Sequence, residues 1–384
     1  MEVKSLEINN IVFPKLGIDI TLNETAFTIN AFGNGLDIKW YGIIITAAIM
    51  LAVIFGLCKM RAYGLDSNRA IDVIIAGIVG GIIGARTYYV LMRLEDYKSF
   101  SDVIDIRSGG LAMYGGLIGA LLFGYVTAKI RKVRFLPLLD IAGMGFLMAQ
   151  SIGRWGNFFN QEAFGTNTDL PWGMSGGGIQ NVILSMGNSD LVWDKTVHPC
   201  FLYESLWCIA GFCLLLFYSK KRKFDGELFL MYIGWYGLGR FFIEGLRTDS
   251  LYLGNIRISQ LVAAICVVLA LVLIIVFRNK VKRMHGDYQF YYQTEESVNL
   301  LKEADSKNTK PKDKKTEKSD NMTTEKPNSE SLDTKTDNTA ENPSDEKSTA
   351  KTDNTTEKPS DENSAEKADN TTEKSSDEKN VKGE

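Results

Sequence analysis

Residues 42–58 read Gly-Ile-Ile-Ile-Thr-Ala-Ala-Ile-Met-Leu-Ala-Val-Ile-Phe-Gly-Leu-Cys, a run without a single charged side chain. Apolar runs of this kind recur between residues 37 and 277. A helix of about 20 apolar residues is long enough to cross the hydrocarbon core of a bilayer. Mean hydropathy is nevertheless only -0.06, because the C-terminal part of the chain is highly polar. We therefore predict an all-α polytopic membrane protein followed by a soluble tail.

Seven transmembrane helices are predicted, with sidedness set by the Lys and Arg residues. Cytoplasmic loops carry an excess of these residues, and here they cluster in alternate connections. The prediction is therefore an N-terminus outside and a C-terminus in the cytoplasm. The basic clusters are Lys59, Arg61 and Arg69; Lys129, Arg131, Lys132 and Arg134; Lys220 to Lys223; and Arg278, Lys280, Lys282 and Arg283. The predicted spans are 38–58, 69–92, 110–129, 136–154, 198–218, 227–246 and 257–277.

Small residues recur every four positions in the second and third spans. Such small-xxx-small faces let helix backbones approach closely in lipid, so we predict tight packing between these two helices. The residues are Gly77, Gly81 and Ala85, Gly80 and Gly84, and Gly115 and Gly119.

The chain divides into four parts by composition. Residues 1–36 form an extracytoplasmic N-terminal arm, where the alternation at 18–22 predicts a strand or hairpin. Residues 37–284 form the membrane domain, and its long connection 155–197 predicts a small extracytoplasmic lobe. Residues 285–302 are a linker.

Residues 303–384 contain no aromatic residue, and they carry 15 lysines and 22 acidic residues. A 16-residue unit repeats from Lys335, Lys351 and Lys367. Such a segment cannot bury an apolar core, so we predict a disordered, acidic cytoplasmic tail with no catalytic role. The five cysteines lack a C-x-x-C spacing and there are only two histidines, so neither a disulfide framework nor a metal centre is expected.

The first polar cluster, within residues 153–165, contains Arg154, Asn157, Asn160 and Glu162. Charged residues at membrane depth are costly and often functional. One reading is structural, with Arg154 pairing with Glu162 at a helix end. The other is a polar pocket for a lipid headgroup phosphate, which a guanidinium binds through paired hydrogen bonds.

The second cluster is Tyr236, Arg240, Glu244 and Arg247 in the sixth span, whose spacing places all four on one helix face. An Arg240–Glu244 pair would be structural, yet it must still face the bundle interior or an aqueous cavity. The spacing therefore favours a functional site.

A third cluster, His198 to Glu204, combines an imidazole, a phenol and a carboxylate. His198 could be a base, a phosphate donor or only the helix entry. Three further polar side chains lie in or beside apolar spans, and for Tyr41 the alternative is an aromatic belt at the membrane interface. These three are Tyr41, Arg86 and Tyr114.

Between about residues 37 and 280 the chain resembles the bacterial prolipoprotein diacylglyceryl transferases. Six motifs in the order of that family carry the resemblance. They are Trp40-Tyr41-Gly42, Gly84-Ala85-Arg86, Tyr114-Gly115-Gly116-Leu117, the Gly153–Gly165 stretch, His198-Pro199 with Tyr203-Glu204, and Arg240 with Glu244 and Arg247.

The resemblance implies transfer of a diacylglyceryl group from phosphatidylglycerol to a signal-sequence cysteine of a prolipoprotein in the bacterial plasma membrane. It implies that Arg154 and Arg240 are essential, that Asn157, Glu162 and Gly165 form the signature site, and that Tyr41 and Glu244 contribute. The partners would be phosphatidylglycerol and prolipoprotein signal peptides, with no nucleic acid. No metal or organic cofactor is expected.

Tyr114 departs from the family pattern, since many members have a histidine there that is proposed to activate the thiol. A phenol with a pKa near 10 is a poorer base at neutral pH. We therefore expect the catalytic set to be Arg154, Arg240, Glu162, Tyr114 and His198, with Glu162 and His198 as alternative bases. Substrate binding is assigned to Arg154, Asn157, Asn160, Gly165, Tyr41, Arg86, Glu244 and Arg247.

Two other functions would account for part of the sequence. A transporter or flippase for an anionic lipid or metabolite would also need buried arginines, but transporters often show internal repeats, and the seven spans show no duplication. A receptor or scaffold tethered by the acidic tail would leave the intramembrane charges unexplained.

Overall fold

The structure, a computed structural model, describes residues 7–31, 34–97, 99–106, 109–187, 191–248, 252–254 and 256–308. Most of these residues are helical. The helices are α1 (Trp40–Met60), α2 (Ser67–Met92), α3 (Phe100–Ile104), α4 (Met113–Ile130), α5 (Phe135–Phe159), α6 (Gly177–Ser185), α7 (Cys200–Tyr218), α8 (Glu227–Glu244), α9 (Ile258–Arg283) and α10 (Glu295–Asn308). The strands are β1 (Asn10–Phe13), β2 (Ile18–Thr21), β3 (Thr25–Ala31), β4 (Asn34–Lys39), β5 (Ser175–Gly176), β6 (Tyr252–Leu253) and β7 (Ile256–Arg257).

Six of the described helices, α1, α2, α4, α5, α7 and α9, are long and apolar enough to cross a membrane. The protein is therefore a multi-pass membrane protein. The predicted sixth span forms helix α8, which is not among the six because its 18 residues include the charged Glu227, Arg240 and Glu244. Helix α5 continues five residues beyond the predicted end of the fourth span at 154, to Phe159. No proline interrupts the helix there, and Gly156 is closely packed.

Helix α5 lies at the centre of the bundle and packs against α1, α7 and α8. Its Ile141, Met144 and Leu147 are almost completely buried in the main apolar core. Helices α2 and α4 pack chiefly against each other. A Cβ at Gly84 would clash with the carbonyl oxygen of Gly115, and a Cβ at Gly119 with that of Gly80. The predicted close approach of these two helices is thereby confirmed.

We call one end of the bundle the basic end, because the Lys- and Arg-rich connections α1–α2, α4–α5 and α7–α8 lie there. All three connections contact residues 288–308, a segment that includes α10 and that we call the C-terminal strap. Arg61 pairs with Asp305 at 2.8 Å and Arg134 with Glu296 at 2.6 Å, while the Arg222 guanidinium lies 5.0 Å from the centroid of the Phe290 ring.

The predicted boundary between a linker (285–302) and a tail (303–384) therefore falls inside α10. Tyr291 is 6% exposed and Ser297 is fully buried, and the Ser297 hydroxyl donates a hydrogen bond to the carbonyl oxygen of Gly64. Aromatic rings and a few polar contacts anchor the strap, so it lacks the long apolar period that marks a core helix. The rest of the predicted tail, residues 309–384, lies outside the described residues.

The opposite end of the bundle, the lobe end, carries the N-terminal arm and residues 160–199. Strands β2, β1 and β5 form one antiparallel sheet, with Ile11 opposite Gly176. The strand predicted at 18–22 is confirmed as β2. Ile11, Phe158, Phe164 and Val197 belong to a second apolar core. The lobe is thus packed onto the end of α5, beside Arg154.

Candidate active site

Glu204, in the second turn of α7, is the centre of the polar site at the lobe end. Its side chain is 3% exposed, and three guanidinium groups surround its carboxylate. Arg154 Nη2 lies 2.6 Å from Glu204 Oε2, while Arg240 Nη1 and Arg247 Nη1 lie 3.2 and 3.3 Å from Oε1. Helices α5, α7 and α8 therefore bring together residues 36 to 50 positions apart in the sequence.

Glu244 is the second buried carboxylate of this site and is also 3% exposed. Arg240 Nη2 donates a hydrogen bond to it over 2.5 Å, which is the pair one helical turn apart that was considered above as the structural alternative. The three guanidiniums of the site remain 12 to 20% exposed. Among the described residues of this cluster, three partly accessible guanidiniums therefore contact two buried carboxylates.

The signature residues after Arg154 form a short hydrogen-bonded chain. Arg154 Nη1 donates to Asn157 Oδ1 at 3.2 Å, and Asn157 Nδ2 donates to Glu162 Oε1 at 2.7 Å. Asn160 Nδ2 reaches the same Glu162 oxygen at 3.4 Å. The direct Arg154–Glu162 pair considered above is absent from the described contacts, because Glu204 takes the guanidinium and Asn157 bridges to Glu162.

Gly165 joins the lobe to this site. Its backbone N–H donates to the carbonyl oxygen of His198, and it forms an isolated β-bridge with Arg247. A Cβ at Gly165 would lie 2.8 Å from the Cβ of His198. Any larger residue would push the His198 segment away from the Arg247 segment.

His198 lies just before α7, with its Nδ1 3.1 Å from the Tyr203 hydroxyl. That hydroxyl accepts a hydrogen bond from Trp172 Nε1 at 2.8 Å. Burial lowers the pKa of His198 below its ordinary value, so the imidazole is neutral at pH 7. A neutral imidazole can accept a proton.

Tyr41, in the first turn of α1, packs against the end of α5. A Cβ at Gly156 would lie 2.8 Å from Tyr41 Cδ2, so the ring rests directly on the helix backbone between Arg154 and Asn157. Tyr41 is 38% exposed. It forms part of the wall beside the arginine cluster.

In the part of the chain that the structure describes, neither Arg86 nor Tyr114 contacts the arginine cluster. Arg86 is 8% exposed and donates to four backbone carbonyls, those of Asp102, Val103, Gly109 and Gly110, at 2.6 to 3.0 Å. It therefore holds the α2–α4 connection in place. Tyr114, in the first turn of α4, is 44% exposed.

A reciprocal pair of tryptophans fixes α7 against α8 below the cluster. Trp207 Nε1 donates to the carbonyl oxygen of Trp235, and Trp235 Nε1 donates to that of Trp207, each at 2.9 Å. The rings stack with centroids 4.4 Å apart. Gly211 and Gly239 make room, since a Cβ at either would clash with a ring.

Sequence reasoning noted Glu204 but did not assign it to the site. The available signal was a carboxylate in the second turn of an apolar span, which is costly in lipid unless cations surround it. Those cations are distant in sequence, so only the fold reveals the pairing.

Comparison with known proteins identifies a family for this chain. The family model described as prolipoprotein diacylglyceryl transferase matches residues 28–276. A phosphatidylglycerol–prolipoprotein diacylglyceryl transferase of Finegoldia magna is 41% identical over 249 residues, which cover 64% of this chain and 94% of that protein. A Clostridium perfringens protein named phosphatidylglycerol–prolipoprotein diacylglyceryl transferase 1 is 42% identical over 266 residues, covering 68% of this chain and 98% of its own length.

All six motifs and the whole arginine cluster fall inside the matched residues. The match spans well over half of the chain, and it includes every helix from α1 to α8. The chain therefore belongs to the prolipoprotein diacylglyceryl transferase family.

Proposed function

We propose that this protein transfers the diacylglyceryl group of phosphatidylglycerol to the thiol of a prolipoprotein signal-sequence cysteine, the first step of lipoprotein maturation. The observation that carries the site assignment is the convergence of Arg154, Arg240 and Arg247 on Glu204. Partly accessible guanidiniums suit an anionic phosphate, which they bind through paired hydrogen bonds. The transporter alternative is not favoured, because the relatives are named as transferases.

The reaction is an alkyl transfer. The cysteine sulfur attacks the glycerol carbon that is bonded to phosphate and forms a carbon–sulfur bond. The carbon–oxygen bond breaks, and its electron pair leaves with glycerol phosphate. The leaving group gains a negative charge as it changes from a phosphodiester to a phosphomonoester, so the site must stabilise a growing anion.

Arg154 and Arg240 are proposed to stabilise that anion. Preorganised donors in a site of low dielectric constant are often the largest catalytic contribution. Glu204 positions both guanidiniums, since one carboxylate contacts each of them. Arg247, Asn157 and Asn160 are proposed to add substrate contacts, with Tyr41 and Gly165 shaping the walls.

The thiol must lose a proton, because thiolate is the nucleophile and a free cysteine has a pKa near 8.5. His198 is our first choice of base, since its imidazole is neutral at pH 7. Glu162 is the second, because its carboxylate is exposed and hydrogen-bonded to Asn157. Tyr114 stays in the proposed catalytic set, on the α2–α4 pair, where Arg86 organises the adjoining loop.

The proposed topology includes α8 as a seventh span, shielded by its neighbours. The charges on α8 contact partners on α7 and α9, as Arg240 does with Glu204 and Glu227 with Arg278. The basic end would then face the cytoplasm of a bacterium, under the positive-inside rule, and the lobe end would face outward. Both substrates would enter sideways from the plasma membrane.

The decisive experiment uses the purified full chain, phosphatidylglycerol and a synthetic signal peptide with one cysteine. We expect the peptide mass to rise by one diacylglyceryl group, and no rise when serine replaces the cysteine. An unchanged peptide mass, with lipid moved between liposome leaflets instead, would support the transporter and overturn the proposal.

A further inference from the structure

A cavity of about 540 Å³ lies at the basic end, far from the arginine cluster on α5. One wall is formed by the end of α4, the start of α5 and the connection between them, including Ala128, Pro137 and Val133. The other wall belongs to the strap, including Tyr288 and Tyr291. The strap lies beyond residue 276, where the family match ends, so this cavity depends on a part of the chain outside that match.

Three cations and two carboxylates line the cavity, and the carboxylates already have partners. Glu296 pairs with Arg134 at 2.6 Å. Asp225 Oδ2 accepts the N–H of Tyr291, and the Arg222 guanidinium lies 3.6 Å from Asp225 Oδ1.

Lys129 and Lys132 are the remaining cations. Both are exposed, and within the described part of the chain neither has a carboxylate partner. The cavity therefore has a surplus of positive charge.

The rim of the cavity continues onto the lipid-facing surface. Tyr125 and Leu136 line the cavity and are 45% and 55% exposed on the spans α4 and α5. The Lys129 ammonium lies 5.5 Å from the centroid of the Tyr125 ring. Apolar surface next to lysines at a helix end matches a molecule with an anionic head and apolar chains.

We propose that this cavity binds the phosphate headgroup of an anionic phospholipid from the cytoplasmic leaflet. Lys129 and Lys132 contact the phosphate, and the acyl chains lie along the exposed faces of α4 and α5. Basic pockets between helices on the cytoplasmic side are known to hold such headgroups. The assignment to the cytoplasmic leaflet rests on the topology proposed above, but the binding itself does not depend on catalysis.

The test is thermal unfolding of the purified full chain in neutral detergent, with added phosphatidylserine or phosphatidylcholine. Phosphatidylserine is anionic but is not the proposed substrate. Ligands that bind only the folded state raise its melting temperature, so we expect phosphatidylserine alone to stabilise the protein. Apparent affinity should fall about ten-fold or more in the Lys129→Gln, Lys132→Gln double variant.

The matched control is Lys280→Gln, Lys282→Gln, which removes two exposed lysines of α9 that do not line the cavity. This control should keep the wild-type response to phosphatidylserine. If both double variants lost the same amount of stabilisation by phosphatidylserine, the effect would come from general surface charge, and the proposal would be overturned. A response that vanishes in Arg154→Ala would place the lipid at the arginine cluster and would also overturn it.

Two further arms keep the test decisive. Soluble glycerophosphoserine should protect far less than the lipid, and equal protection would exclude a lipid site. If the double variant does not fold, wild-type protein can be labelled with phosphatidylserine that carries a photoreactive acyl chain. Labels within 121–137 are expected, and labels confined to other helices would contradict the site.

Discussion

Helices α5 and α8 each contribute a charged residue to a polar cluster at both ends of the bundle. At the basic end, Asp140 is fully buried and accepts backbone N–H groups from Gly226 and Phe229 at 2.8 and 3.0 Å. Glu227, also fully buried, pairs with Arg278 at 2.6 Å. At the lobe end, three guanidiniums share two carboxylates.

The difference between the two clusters separates structure from function. At the basic end, Asp140 accepts backbone N–H groups and thereby caps the first turn of α8. Glu227 there pairs with a single guanidinium, that of Arg278. At the lobe end, three guanidiniums converge on one carboxylate, that of Glu204. A buried charge is therefore weak evidence for catalysis by itself, whereas three guanidiniums gathered at one point favour a ligand that carries negative charge.

The largest difference between the two clusters is expected when one guanidinium at a time is removed from either end. Arg154→Ala and Arg240→Ala should each lower transfer by about 10²–10³-fold, because each removes a donor to the leaving phosphate. Lipidation of a signal peptide, normalised to folded protein, measures the effect. Arg278→Ala is the control and should lower thermal stability while leaving turnover per folded molecule nearly unchanged. A similar loss of turnover in all three variants would show that the two clusters do not differ in function.

Carboxylate variants sharpen the same contrast. Removing one partner of a buried ion pair costs about 3–5 kcal/mol, so Glu204→Gln and Glu227→Gln should both lower the melting temperature. Only Glu204→Gln should also lower turnover of the remaining folded enzyme, because it frees Arg154 and Arg240 from their shared anchor. Normal turnover in folded Glu204→Gln protein would show that Glu204 has no positioning role.

Local sequence patterns predicted what depends on neighbouring residues. Helix positions followed from apolar length and flanking charges, and the Arg240–Glu244 pair followed from a spacing of four. The family motifs supplied the activity and the importance of Arg154. The contact of Glu204 with Arg154 could not be predicted in this way, because it depends on how α5 packs against α7.

The packing of the strap could not be predicted from the sequence either. Residues 285–302 contain no continuous apolar stripe, so composition favoured a linker. The segment docks through Tyr291, through Ser297 and through rings around Arg222, contacts that are spaced irregularly along the chain. Docking by scattered aromatic and polar groups leaves no periodic signal.

The pH dependence tests the assignment of the base at the lobe end. Burial lowers the pKa of His198, so the imidazole stays neutral to a lower pH than an ordinary histidine. If His198 takes the thiol proton, transfer should fall on the acid side with a midpoint below about 6.5. His198→Gln should lower transfer about ten-fold or more and remove that acid limb. If the acid limb is unchanged in His198→Gln, Glu162 becomes the candidate base. The pH profile of Glu162→Gln should then be measured in the same way.

The Trp207–Trp235 pair joins α7 to α8, and substitutions in it should have a smaller effect on turnover. Trp207→Phe keeps a stacked ring but removes the hydrogen bond from the indole to the carbonyl oxygen of Trp235, a net loss of about 0.5–1.5 kcal/mol. A slight shift of α7 against α8 should then lower turnover a few-fold by displacing Glu204 from Arg240. The double variant with Trp235→Phe should be little worse in turnover than either single variant, since the two rings act as one contact. Fully additive losses would show that each ring acts separately.

The smallest effect is expected at the end of the strap, and it tests where the functional chain stops. Truncation after Asn308 keeps Tyr291, Ser297 and the Arg61–Asp305 pair, so turnover and melting temperature should match those of the full chain. Truncation after Met284 removes all three and should lower the melting temperature by several degrees. The exposed ion pairs contribute little, about 0–1 kcal/mol each, so most of that loss must come from the buried Tyr291 and Ser297 contacts. A variant with Tyr291→Ala and Ser297→Ala in the full chain should therefore reproduce the longer truncation, while Asp305→Asn should not.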